Sequence, residues 1–118
     1  MTTTREPSAV SVEECNTFIT ELDFVDSVPI IEDVARDWVV ARVPTDGMRL
    51  RPGGYVPGPV MMAGVDLIAW LLVFTRNGFT PMALTWELKI NFLRPAHGAD
   101  LMICARQTKF GKLCHASI

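Results

Sequence analysis

The longest apolar run of the chain covers residues 60–74, where Asp66 is the only residue that is neither apolar nor glycine. Its 15 residues fall short of the roughly 20 that a membrane-spanning helix needs, and a central carboxylate opposes insertion. A helix that is apolar all round is usually surrounded by protein. Pro59 suits a first helical turn, and residues 76–78 are typical of a helix end. The pattern predicts a central helix over residues 58–77, buried on most sides.

Alternating apolar and polar residues predict β-strands on both sides of this helix. Residues 84–92 alternate strictly, which predicts a strand with one apolar and one polar face. Residues 38–43 are rich in β-branched and aromatic side chains, which predicts a strand or a bent pair of strands between residues 30 and 43. Further strands are expected at residues 101–108 and from Leu113 onward, so that antiparallel strands fill residues 83–118.

Two shorter segments have their own signals. Ser11 and Glu14 have the spacing of a capping box, and apolar residues follow at helical spacing, so a short amphipathic helix is predicted over residues 11–22. Residues 51–59 contain three prolines and three glycines, which predicts a defined loop without regular structure. We expect this loop to lead directly into the central helix.

These elements together predict one α+β domain over residues 1–118, in which a curved antiparallel sheet wraps around the central helix. An apolar inner face and a polar outer face are typical of such a sheet. Ile118 falls early in the last strand, so we expect that strand to be cut short, with a missing strand or a partner at its open edge.

Composition narrows the function classes. The formal net charge is −2 and no dense basic run is present, which argues against nucleic-acid binding. Three cysteines without a CxxC spacing, and no apolar signal core in residues 1–7, favour reduced thiols in the cytoplasm, with no membrane association. Cys104, Cys114 and His115 are rejected as a metal site, because adjacent strand residues point to opposite faces.

Residues 84–98, LTWELKINFLRPAHG, resemble the strand and turn of hotdog-fold thioesterases, especially the branch related to phenylacetate-pathway acyl-CoA thioesterases. The segment Asn-Phe-Leu-Arg-Pro at residues 91–95 is the most specific element. Residues 110–112, Phe-Gly-Lys, are similar to a later turn of the family. The resemblance covers about residues 34–118. It implies a hotdog fold, an acyl-CoA substrate, no cofactor, and a homodimer or tetramer whose sites use residues from both chains.

The thioesterase branch that this sequence resembles carries His-Gly-Gly before the central helix and an acidic residue nine positions after the histidine. In this sequence Asp66 holds the acidic position, while Pro57 stands in the histidine slot and Gly58 and Pro59 stand in the glycine slots. The motif is therefore degenerate, with the carboxylate retained. Arg51 occupies a position where the branch frequently has asparagine.

The resemblance makes Asp66 the candidate catalytic residue, as a general base on water or as a nucleophile at the thioester carbonyl. A structural aspartate that is hydrogen-bonded in the core remains the alternative. Gly58 is the candidate oxyanion donor at the helix N-terminus, whereas Pro59 has no N–H to offer. Arg51 could pair with Asp66, pair with a substrate carboxylate, or lie at the surface.

Other residues have weaker claims to the site. Met62 could line an acyl pocket, although core filling is the ordinary role of methionine. Thr85 and Asn91 could face Asp66 from the other chain of a dimer. His97 and His115 are unconvincing bases, in a turn and a late strand. Three basic residues could meet coenzyme A phosphates or be solvated turn charges: Arg94, Lys109 and Lys112.

The leading hypothesis is an acyl-CoA thioesterase that uses Asp66. A hotdog dehydratase or hydratase is disfavoured, because no histidine precedes the helix and Ala69 stands about where the dehydratase glutamate would be. The third hypothesis is a catalytically silent hotdog domain that binds an acyl or aromatic ligand or a partner, and Pro57 and Pro59 motivate it. The acyl group itself is not specified by the sequence.

Overall fold

The computed structural model describes residues 5–22, 28–46, 48–79, 100–109 and 113–117, with backbone alone for residues 107–109 and 113–117. The elements in chain order are helix α1 (Val12–Thr20), strands β1 (Ile30–Ala35) and β2 (Trp38–Val43), helix α2 (Gly58–Asn77), and strands β3 (Leu101–Lys109) and β4 (Leu113–Ser117). The strand predicted over residues 84–92 lies outside the described residues. The predicted strands on either side of it are confirmed.

The described strands form one antiparallel sheet in the order β1-β2-β3-β4. The β pattern predicted between residues 30 and 43 is a hairpin with its turn at residues 36–37. On the inner face of the sheet, buried apolar residues lie opposite one another in register. The pairs are Val39 with Ala105, Ala41 with Ile103, and Val43 with Leu101. The predicted apolar inner face is thus confirmed for β2 and β3.

Helix α2 packs across this inner face and has the bounds that the apolar run predicts. Pro57 is the N-cap, a proline occupies the first turn, and Gly78 ends the helix with a φ of 78°. The helix approaches the sheet closely at Gly64. A Cβ atom built there would lie 2.9 Å from Cδ1 of the buried Ile103. Because real Cβ atoms do not come this close to other carbons, any larger residue at this position would force Ile103 to shift.

Most of α2 is buried or partly buried, but a strip along the helix is open: Pro59, Met62 and Ala63 are exposed, and Asp66 is half-buried. The described sheet packs on one side of the helix, and Phe18 of α1 contacts Trp70 and Phe74 near its C-terminal end. By length and composition α2 is the one helix among the described residues that could cross a membrane, a property it shares with core helices.

Helix α1 confirms the predicted capping box, since Ser11 Oγ accepts from the Glu14 N–H and the Glu14 carboxylate accepts from the Ser11 N–H. It ends at Thr20, two residues before the predicted end, where Glu21 caps it. Asn16 joins α1 to the outer strand β1. Its amide accepts from the Ile31 N–H at 2.8 Å and donates to the Ile31 carbonyl at 3.1 Å. The Asn16 side chain therefore acts as a strand partner at that edge.

The C-terminal end of α2 is tied to the β1–β2 turn. Asp37 has a φ of 62°, and its N–H donates to Thr75 Oγ1 at 2.9 Å. The buried Thr75 hydroxyl donates in turn to the Leu72 carbonyl. Arg76 donates to both carboxylate oxygens of Asp37. The bond from Arg76 is the main reason that the pKa of Asp37 is lowered. These contacts fix the position of α2 along the sheet.

Candidate functional site

The segment before α2 forms a tight turn, as its composition predicts. The Arg51 N–H donates to the Tyr55 carbonyl at 2.8 Å, and the Gly54 N–H donates to the Arg51 carbonyl at 3.0 Å. Gly53 and Gly54 have φ values of 88° and 81°, which favour glycine. The Tyr55 ring lies so close to Gly53 that a Cβ atom there would be 2.9 Å from Cε2. The turn is therefore held by hydrogen bonds and by the ring.

The N-terminus of α2 retains one amide for a ligand. The N–H groups of Val60 and Met61 both donate to the Pro57 carbonyl, at 3.1 and 3.3 Å. Pro59 has no N–H. Within the described part of the chain, no group accepts a hydrogen bond from the Gly58 N–H. This amide lies at the positive end of the helix dipole, where a developing negative charge is stabilised.

Asp66 lies on the open strip of α2. It follows Pro59, Met62 and Ala63 by seven, four and three residues, and these spacings place all four on one side of a helix. Its half-buried carboxylate differs from the fully buried one that the apolar sequence suggested. This carboxylate is partly exposed and is flanked by apolar residues.

An aromatic cluster lies one helical turn beyond Asp66, and sequence analysis did not find it. Phe18 of α1 meets Trp70 and Phe74 of α2, with ring centroids 5.2 and 5.3 Å apart, and Phe79 completes the cluster. The indole nitrogen of Trp70 is buried and, among the described residues, has no hydrogen-bond acceptor. The spacing of Trp70 and Phe74 is visible in the sequence, but the approach of α1 is not.

Gly58 and Asp66 cannot both contact one carbonyl group from within the same chain. They are eight residues apart on one helix, so their Cα atoms are separated by about 12 Å along its axis. An aspartate side chain is too short to bridge that distance, and hydrogen-bond contact requires about 3 Å. A site that uses both residues would have to combine two chains.

Several other predicted site residues can also be placed. Met62 has 44% of its surface exposed, so it lies at the open strip rather than in the core. Arg51 is exposed and, among the described residues, has no ion pair, which excludes the predicted pairing with Asp66 in this chain. The remaining predicted site residues cannot be placed in this way. The structure describes only the backbone of Lys109, and four of the predicted residues lie outside the described ranges: Thr85, Asn91, Arg94 and Lys112.

The described residues contain no group of three or more His, Cys, Asp or Glu that could hold a metal ion. The side chains of Cys114 and His115 fall outside that description. Cys15 is fully buried, and burial, assisted by the charge of Glu14, raises the pKa of its thiol to about 11. A protonated, buried thiol is a poor nucleophile, so Cys15 takes no part in the candidate site.

Comparison with known proteins gives one match. The family model described as the thioesterase superfamily matches residues 53–113, which is more than half of the chain. The matched segment begins in the tight turn before α2, includes all of that helix, and ends at the start of β4. No curated protein and no solved structure matches the chain.

Proposed function

The chain belongs to the thioesterase superfamily and has an α+β fold of the hotdog type, and from this premise we propose that it is an acyl-CoA thioesterase with Asp66 as its catalytic residue. The observation that carries the proposal is the position of Asp66. It is the one carboxylate of α2, and it lies half-buried on the open strip of that helix. A thioester placed along the strip would have a base beside it and apolar side chains around its acyl group.

In the proposed reaction Asp66 takes a proton from a water molecule as the water oxygen attacks the thioester carbonyl carbon. The tetrahedral intermediate carries its negative charge on the former carbonyl oxygen, which accepts a hydrogen bond from the Gly58 N–H. When the intermediate collapses, the carbon–sulfur bond breaks and the proton passes to the leaving thiolate. The products are a carboxylic acid and free coenzyme A.

The separation of Gly58 and Asp66 makes a dimer part of the proposal. Since the two residues are too far apart within one helix, one thioester would be held by Gly58 of one protomer and by Asp66 of the partner subunit. A two-fold dimer would then contain two equivalent sites. The exposed Met62 and Ala63 would lie at the interface between two copies of α2. Light scattering should detect a dimer or tetramer, and a stable monomer would contradict this arrangement.

The test is thiol release from a panel of acyl-CoAs that includes short-chain, long-chain and aromatic acyl groups. Aromatic groups come first because of the resemblance to the phenylacetate-pathway branch. Asp66→Asn keeps the shape of the side chain and should lower kcat about 100-fold or more. Asp33→Asn removes the same charge from an exposed position on β1 and is the matched control. Equal activity in wild type and Asp66→Asn would leave a hydrolase but remove Asp66 from the mechanism.

A single turnover in ¹⁸O-labelled water separates the two roles of Asp66. A general base leaves the label in the carboxylic acid alone. A nucleophile forms an anhydride with the acyl group, and water attack on the aspartyl carbon of that anhydride carries the label into Asp66. Mass spectrometry of the peptide that contains Asp66 after one turnover distinguishes these routes.

A catalytically silent binding domain is the second candidate, and the first turn of α2 favours it. With Pro59 lacking an N–H and the Val60 N–H already bonded, Gly58 offers the turn's only free amide among the described residues. A single donor stabilises an oxyanion less than two donors do. Tight binding of an acyl-CoA by folded protein without release of thiol would select this candidate over the hydrolase.

A further inference from the structure

The segment that leads into α2 carries two arginines two residues apart, Arg49 just before the tight turn and Arg51 at its start. Both are exposed and, among the described residues, have no acidic partner. Arg36, Arg42 and Arg76, in contrast, each form an ion pair with a carboxylate. The segment thus places two exposed guanidinium groups beside the exposed Tyr55, an arrangement suited to an anion that also carries an aromatic ring.

We propose that residues 49–55 bind the nucleotide portion of coenzyme A, with Arg49 and Arg51 on its phosphates and Tyr55 against its adenine ring. This inference rests on the proposed function, because it names the part of the substrate that would recruit the thioester. Guanidinium groups bind phosphate through paired, charge-assisted hydrogen bonds. The side chains of the three basic residues that the sequence offered as weaker candidates for coenzyme A contacts lie outside the described part of the chain: Arg94, Lys109 and Lys112.

Tyr55 supplies a surface for a base. The residue is 40% exposed, although its ring packs on the backbone of Gly53. A ring that is already held in place loses little conformational freedom when a base stacks on it. The hydrogen bond from the Arg51 N–H to the Tyr55 carbonyl keeps the arginine and the ring on one short turn. Leu50, 42% exposed, adds apolar surface beside them.

The turn is also at a suitable distance from the proposed oxyanion donor. Tyr55 precedes Gly58 by three residues, so their Cα atoms are at most about 11 Å apart. The pantetheine arm of coenzyme A can connect a nucleotide at Tyr55 to a thioester at the Gly58 N–H. Both ends of one coenzyme A molecule would thus lie along a single continuous segment of the chain.

An acidic carrier protein is the competing source of a phosphopantetheine thioester. The turn favours the nucleotide because it combines two cations with an exposed aromatic ring, and base stacking requires such a ring. It also carries an acidic residue close by, since Asp46 is exposed three residues before Arg49. This segment therefore does not form the broad basic surface that binding of an acidic protein would require.

The experiment measures binding of coenzyme A, 3′-dephospho-coenzyme A, pantetheine and an acyl carrier protein to the full chain by calorimetry. The variants are a double variant that carries both R49Q and R51Q, and two single variants, Y55L and Y55F. R106Q is the matched control, because Arg106 is an exposed arginine of β3 that also has no acidic partner among the described residues. Thermal unfolding of each variant verifies that the turn substitutions leave the protein folded.

We expect the double arginine variant to bind coenzyme A about 10-fold or more weakly, and R106Q to bind it as wild type does. The loss should be smaller for 3′-dephospho-coenzyme A and absent for pantetheine. Y55F should retain binding and Y55L should weaken it. Equal affinity of wild type for coenzyme A and pantetheine would overturn the proposal. An equal loss of coenzyme A affinity in R106Q would also overturn it. So would the finding that only binding of an acyl carrier protein depends on Arg49 and Arg51.

These outcomes are separable from failure of the proposed function. Coenzyme A binding is measured without turnover, so a protein that hydrolyses no acyl-CoA can still show the predicted dependence on Arg49 and Arg51. Conversely, a hydrolase whose KM for acyl-CoA is unchanged in the double arginine variant keeps the proposed function and loses this inference.

Discussion

Helix α2 packs tightly against β3 at Gly64. Replacement by alanine would place a methyl group 2.9 Å from Cδ1 of Ile103, which is fully buried and cannot turn toward solvent. Alanine favours a helix interior over glycine by about 1 kcal/mol. Overpacking of a well-filled core costs about 1–3 kcal/mol. The clash therefore outweighs the propensity, and Gly64→Ala should lower the free energy of unfolding by about 0–2 kcal/mol.

A second substitution separates these two effects. Ile103→Val removes the clashing carbon, and by itself it should cost about 0.5–1.5 kcal/mol. In that background the new methyl group of Gly64→Ala has room, so the same substitution should raise stability by about 1 kcal/mol. The effect of one substitution thus changes sign with the residue opposite. The coupling free energy between the two positions should be about 1–3 kcal/mol.

Urea unfolding at one fixed protein concentration measures all four proteins of this cycle, with tryptophan fluorescence as the probe. The pair Thr17→Ala and Thr17→Gly is the control, because Thr17 is exposed on α1 and lies away from the contact between α2 and β3. The alanine variant should be more stable than the glycine variant by about 1 kcal/mol. If Gly64→Ala stabilises the wild-type protein by this same difference, α2 does not lie as close to β3 as described.

Two further predictions concern ionisable groups. The pKa of Asp37 is lowered, chiefly by its bond to Arg76, so its stabilising effect is fully present above the unfolded pKa of about 3.9 and is lost as pH falls through the lower folded value. Asp37→Asn is the suitable variant, because asparagine also tolerates a positive φ. In urea titrations, the difference in the free energy of unfolding between wild type and Asp37→Asn should therefore shrink from pH 5 to pH 2. A difference that stays constant over this range would refute the ion-pair explanation. Cys15, with its pKa raised to about 11 by burial, should resist iodoacetamide in native protein at about pH 8 and react fully in urea, as peptide mass spectrometry would show.

The sequence specifies the central helix well because the signals are local. The apolar run fixes its middle, Pro59 its first turn and Gly78 its end, so the predicted and observed bounds agree. The capping box of α1 is equally local. The open strip of α2 was not predicted, because apolar composition does not tell whether the covering surface belongs to the same chain. Asp66 is therefore half-buried in this structure, although the sequence around it suggested full burial.

Contacts between distant segments could not be predicted. The bond between Asp37 and Arg76 joins residues 39 apart, and Asn16 meets Ile31 across 15 residues. Neither partner stands out in its own segment. The 12 Å spacing of Gly58 and Asp66, in contrast, follows from helix geometry alone, about 1.5 Å per residue. For the candidate site, the sequence thus supplies the groups and their separation on one helix, and tertiary or quaternary contacts decide which groups meet.

The bonding of Asn16 to Ile31 affects which edge of the sheet can pair with a further strand. A strand that approached the outer side of β1 would need the Ile31 N–H and carbonyl, and both are already bonded to the Asn16 amide. A bulge between Ile31 and Asp33 further interrupts the regular spacing of that edge. Among the described strands, β1 is therefore a poor edge for pairing with another chain. A continuous sheet shared by two subunits would extend from the opposite margin, with β1 and α1 at its outer ends.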